Sequence, residues 1–308
     1  MASARGCLKF SLIGCGALIL LSIAGTAGLM AFVTAGSRDA EVRREAAAAA
    51  AAPKAIDAVA VDLTRTHPGR VLLDLRQGEF SVRPAEPGAG LAVHAEFDET
   101  AFALEQGFAM APDSSWTAAV SMHRTISGFE ALVRQIRGEK LQARVTIDLP
   151  ADVPIELAAA ISQGGAEIEL GGLWLRTVDL TLQQGGCALS CREPVREPLA
   201  RMRLDGRMGG VQAERLGNLS PRILELSFGM GGADVDLDGE WRNDCDARIS
   251  AKLGGVSVRA PRDLRIEAVG PIPKDVNVPA PRPADPEVPE PVMRIEFAKS
   301  LGGIDISQ

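Results

Sequence analysis

The chain has 308 residues, 33 of them basic and 40 acidic, for a formal net charge of −7. That balance, with no basic stripe, argues against nucleic acid as a partner. Three Trp, nine Phe and no Tyr leave few aromatic platforms for stacking sugars or bases.

In chain order, residues 1–9 carry Arg5 and Lys9 and are followed by 28 uncharged residues, 10–37. A helix needs about 20 apolar residues to span a bilayer, and the apolar run of a cleaved signal is shorter, about 7–15. The run therefore predicts one retained transmembrane helix, with Val33-Thr34-Ala35 as the cleavage-like alternative. Leu12-Ile13-Gly14-Cys15 spells a lipobox, but the long apolar run follows it instead of preceding it, so lipidation is not expected. Basic residues on both sides (Arg38, Arg43 and Arg44 beyond the span) leave the orientation ambiguous. A long following domain translocates largely regardless of them, so residues 1–9 are expected in the cytoplasm and the remainder outside it. Residues 38–54 include seven alanines at 46–52 before Pro53; alanine favours helix and proline stops it, which predicts a helical stalk.

From residue 55 onward the dominant feature is a comb of paired glycines: Gly164-Gly165, Gly185-Gly186, Gly209-Gly210, Gly231-Gly232, Gly254-Gly255 and Gly302-Gly303. Spacings of 21, 24, 22, 23 and 48 amount to a regular period with one tooth missing. After each pair come AEIEL, CALSC, VQAER, ADVDL, VSVRA and IDISQ, whose first and third residues are small or aliphatic. Before it, positions −7, −5 and −3 are also mostly apolar, from Leu157, Ala159 and Ile161 in the first tooth to Ala247, Ile249 and Ala251 in the fifth. Period-two alternation predicts strands with one buried face. A fixed repeat of this length predicts copies of one supersecondary unit stacked on each other. Glycine suits the corner because it reaches positive φ without a Cβ clash. Val71, Leu73, Leu75, Gly78, Phe80 and Val82 fit an earlier copy. The expectation is an all-β, stacked-strand β-solenoid over residues 55–270, against the alternative of a β-sandwich. A sandwich would show hairpin Asn-Gly or Asp-Gly turns, and only Asp205-Gly206 and Asp238-Gly239 occur.

Residues 91–140 leave the pattern and predict an irregular insertion with a short helix. Ser127-Gly128-Phe129-Glu130 is a capping box, with Phe129, Leu132, Val133 and Ile136 at helical spacing and Gly138 at the end; this helix is expected to cap or cover the stack. Residues 271–291 hold eight prolines, an extended linker leading to residues 292–308. There Ile295, Phe297, Gly302-Gly303, Ile304 and Ile306 resume the comb as a terminal strand pair.

Residues 227–241 (SFGMGGADVDLDGEW), 252–265 (KLGGVSVRAPRDLR) and 145–157 (VTIDLPADVPIEL) resemble the toast-rack, or putative-adhesin, family of bacterial envelope proteins. The resemblance covers roughly residues 60–308, and its motifs record a fold more than a chemistry. It implies stacked strand pairs with glycine corners, membrane anchorage in the cell envelope and, in LiaF-like members, a place beside envelope-stress signalling. It supplies no catalytic residue.

Candidate chemistry is sparse. Cys187 and Cys191 occupy one face of one strand, about 13 Å apart at ~3.3 Å per residue. That is too far for a disulfide, which needs less than about 7 Å, and too far to share zinc; they read as small buried hydrophobes, and Cys245 as an unpaired thiol. Asp234, Asp236 and Asp238 imitate the start of a calcium loop, but its twelfth position is Cys245 in place of Glu. They are expected as a solvated outward face, with weak calcium binding as the alternative. Glu167 and Glu169 form a similar outward pair. His67, His94 and His123 lie outside the regular teeth, none beside a nucleophile motif. No catalytic residue, cofactor or metal site is expected. The sequence therefore predicts a non-enzymatic, membrane-anchored envelope protein presenting a regular surface to a protein partner or cell-wall polymer. A self-polymerising structural solenoid resembling bactofilins, hence a homo-oligomer, and a carbohydrate-active enzyme are the alternatives.

Overall fold

The computed structural model describes residues 67–139, 141–280, 290–298 and 302–308, all within one compact unit. The predicted span at 10–37 and stalk at 38–54 lie outside the described residues. No helix among the described residues is long and apolar enough to cross a membrane.

Five long strands form the centre: β7 (Ile155–Glu169), β8 (Leu175–Ser190), β9 (Arg201–Glu214), β10 (Ile223–Asp236) and β11 (Cys245–Arg259). Each pairs in parallel with the next in sequence, and the registers align the teeth of the comb: Gly164↔Gly185↔Gly209↔Gly231↔Gly254. The glycine pair does not end a strand, as a plain corner would. The ladder passes through it, so each long strand contributes one segment before the glycines and one after. The apolar positions on both sides are buried as the alternation predicts, including Leu180, Leu204, Leu226 and Ile249, which stand in register as one row across β8–β11. Gly206 breaks the apolar column of β9 for a packing reason: a Cβ there would press on the ring of its register partner Phe228.

At the N-terminal side the unit splits. β1 (Gly69–Leu75) and β2 (Gly78–Pro84) pair with the two halves of β7, and Gly78 aligns with Gly164. Beyond them lie β5 (Trp116–Arg124) on β1 and β6 (Ala143–Leu149) on β2, both parallel. The outermost strands, β4 (Phe102–Met110) on β5 and β3 (Ala92–Phe97) on β6, are antiparallel. Residues 91–140 are thus richer than an irregular insertion. They hold three strands besides the helix, invisible in the comb because antiparallel partners joined by loops need no glycine pair.

The C-terminal side reverses chain order. β14 (Val292–Phe297) and β15 (Gly303–Ser307) dock directly on β11, with Gly303 opposite Gly255. β12 (Arg265–Val269) and β13 (Val276–Asn277), earlier in sequence, are displaced outside them. The missing tooth therefore exists, and part of it, β13, falls inside the proline-rich stretch. Its corner holds Gly270, Pro271 and Pro273 in place of a glycine pair. Proline cannot donate to a ladder and is tolerated at an edge, whereas the tooth with Gly302-Gly303 matches β11.

Helix α1 (Gly128–Ile136) forms where the capping box predicts, and Ser127 Oγ accepts from Glu130 N at 3.1 Å. Its orientation departs from expectation. Ala131 is its buried residue, while Phe129, Leu132 and Ile136 are exposed. The polar side is drawn inward by Arg134, which donates to Thr100 Oγ1 at 2.8 Å and lies 3.8 Å from Asp98.

Candidate functional site

The two glycines of each tooth do different work. The first has φ between 121° and 159° in β7–β11, and a Cβ there would collide with the carbonyl oxygen of the equivalent glycine in the preceding layer. The second is not in the left-handed region, and at Gly165, Gly186, Gly210 and Gly255 a Cβ would meet nothing within 4 Å. The corner accounts for the first glycine and leaves the second unexplained.

The second glycines form the floor of a groove of about 1260 Å³ that crosses β7, β8, β9, β10, β11 and β15 along one register line. Six strands at ~4.8 Å spacing make it about 24 Å long. Gln212, Asp234, Ser257 and Asp305 line it from the sheet, and Lys274 and Asp275 line it together with Val276 and Asn277 of β13. That wall is tied down: Asn277 Nδ2 donates to Asp305 Oδ1 at 2.7 Å, and Ile304 N to Asp275 O at 3.0 Å. The result is a shallow trough with a glycine floor and a rim of hydrogen-bonding groups that are neutral, acidic and, at Lys274, basic.

The sequence candidates are dispersed. Asp234 is exposed and lines the groove. Asp236, expected as solvated, is instead engaged: it accepts from Asp238 N at 2.9 Å and from Arg259 of the next layer at 3.3 Å. The described residues contain no group of three or more His, Cys, Asp or Glu placed to hold a metal ion. Cys187, Cys191 and Cys245 are free and buried, and burial pushes each thiol up to about 12, so they are protonated at neutral pH. Glu167 is exposed. Glu169 clamps a corner, accepting from Ser190 Oγ at 2.7 Å, Gly171 N at 2.9 Å and Arg192 N at 3.0 Å. Burial alone would raise its pKa; these hydrogen bonds and the Arg192 charge outweigh burial and lower it. His67 precedes β1, His94 lies in β3 at 3.3 Å from Asp148, and His123 lies in β5. None of the three lines the groove.

Sequence reading missed Asn218, buried in the 3-10 turn Leu216–Leu219. Its Nδ2 donates to Cys191 O at 2.8 Å and its Oδ1 accepts from Glu240 N at 2.9 Å, so one side chain ties together the return loops on either side of its own. No local pattern marks it, since its partners lie 22 to 27 residues away. Replacement by Leu leaves Cys191 O buried and without this donor, at about 1–3 kcal/mol, and takes from Glu240 N its acceptor in the next loop. We expect Asn218→Leu to lower the melting temperature by roughly 5–15 °C and to speed amide exchange at Glu240. Unchanged melting would show that these loops are held by other contacts.

No protein-family model and no curated protein matches the chain. Among solved structures it is similar to a putative cell adhesion protein from Clostridium sporogenes, at 16% identity over 79% of this chain and 92% of that one, with a TM-score of 0.36. A likeness that loose fixes neither fold nor role for this chain.

Proposed function

We propose that the strands form a β-solenoid of the toast-rack kind, held outside the cytoplasm by a membrane helix at 10–37, and that it is a non-enzymatic scaffold. Its groove takes an extended chain, a segment of a protein partner or of a cell-wall polymer, laid across the strands. The carrying observation is the row of second glycines. Steric need does not place them, yet they recur in six teeth and keep a trough clear for about 24 Å. Solenoid folds present extended regular surfaces suited to such a role. The rim offers hydrogen bonds without aromatic platforms, which suits backbone or hydroxyl recognition. End-to-end polymerisation is less well supported: the C-terminal edge is split into β12, five residues, and β13, two residues, and short edge strands are a common way to prevent edge pairing.

The test fills the trough without disturbing the corner. Gly210→Trp in the full chain, solubilised in mild detergent, is expected to keep the wild-type melting temperature and to lose the protein or cell-wall material that wild type retains from envelope extracts. Equal retention by the variant and wild type would refute the groove as the binding surface.

A further inference from the structure

Helix α1 is amphipathic and faces the wrong way for a protein that ends at its own surface. Phe129 is 76%, Leu132 53% and Ile136 77% exposed, at spacings of three and four that place them on one stripe. The opposite side is committed to the body. Ala131 is buried, and Arg134 holds Thr100, Asp98, Glu130 and Glu139 within 4 Å. Rotation to bury the stripe would pull Arg134 away from Thr100 and Asp98, so those two contacts hold the apolar face outward. Arg137, exposed, lies on the flank of the stripe.

We propose that this face contacts lipid: Phe129, Leu132 and Ile136 enter the interfacial zone of a bilayer, with the Arg137 guanidinium among anionic headgroups. Area decides between lipid and a second copy of the chain. A nine-residue helix is about 13 Å long, and three side chains offer far less than the ~800 Å² per partner of a standard protein interface. Interfacial insertion has no such threshold, because each apolar side chain contributes as it leaves water and a basic neighbour adds attraction to anionic lipid. The inference uses the membrane-anchor reading only to place a bilayer within reach. The helix would then be a second contact that orients the strands above the membrane.

The test keeps the full chain. Cys7 and Cys15 are replaced by Ser, an environment-sensitive fluorophore is placed on Ile136→Cys, and the protein is reconstituted in phosphatidylcholine–phosphatidylglycerol nanodiscs. The native thiols at 187, 191 and 245 are buried and protonated, so they stay unlabelled. Brominated lipid is expected to quench this probe several-fold more than the same probe on Leu253→Cys, also an exposed apolar residue, in β11. Adding Phe129→Ser and Leu132→Ser should bring the quenching down to the Leu253 level. Equal quenching at the two sites overturns the proposal, as does self-quenching between chains without lipid quenching, which would assign the face to a second copy. A chain that separates from the nanodiscs defeats the anchor reading alone. Vesicles of the same lipids then decide the helix: a blue shift of the probe supports lipid contact, and none overturns it.

Discussion

Gly185→Ala is expected to destabilise the protein by about 3–5 kcal/mol, while Gly186→Ala, one residue away, is expected to be neutral or to add up to about 1 kcal/mol. Gly185 has a φ of 123°, where an L side chain is strained. A Cβ there is aimed at the carbonyl oxygen of Gly164, in register on β7. That oxygen belongs to a ladder flanked on both sides, so relief requires moving several layers at once. Gly186 is outside the left-handed region with open space where the methyl would go, and alanine there removes only freedom of the unfolded chain. Urea midpoints of the full chain in mild detergent measure both. Equal losses from the two substitutions would defeat the division of labour between the glycines, and with it the argument that the second one is placed for the groove.

Leu226→Asp is expected to cost about 5 kcal/mol or more, enough to unfold the sheet around β10. Leu226 is 1% exposed and stands in register between Leu204 and Ile249. The substitution removes a fully packed side chain and asks a carboxyl group to enter an apolar row with no donor to meet it. The carboxyl would stay protonated and still lack partners. The fair control is Asp234→Ser, exposed and expected within about 0.5 kcal/mol of wild type. Asp236 is unsuitable as a silent control, because it holds Arg259 and Asp238 N; Asp236→Ser should lose about 1 kcal/mol. Circular dichroism during thermal unfolding separates these cases, and a Leu226→Asp protein that melts like wild type would remove the row from the core.

Which residues face inward was legible in the chain itself. Alternation is a local property, since successive side chains of a strand point to opposite sides, and the glycine pairs supply the phase that aligns one strand with the next. Those two signals sufficed for the buried rows from Leu157 to Ile306 and for the register Gly164↔Gly185↔Gly209↔Gly231↔Gly254. Strand order at the C-terminal side was not legible, because the apolar rows of the candidate partners for β11 alternate in the same way. The choice turned on edge chemistry: Gly302-Gly303 could join the ladder beside β11, and the corner with Pro271 and Pro273 was left outside. The facing of α1 had the same character. Its periodicity predicts an apolar stripe but not what the stripe meets, and Arg134 turned it outward through Asp98 and Thr100, more than thirty residues away. Asn218 and the groove were beyond sequence for one reason. Hydrogen bonds between successive return loops and a trough running across six strands exist only after the strands have paired.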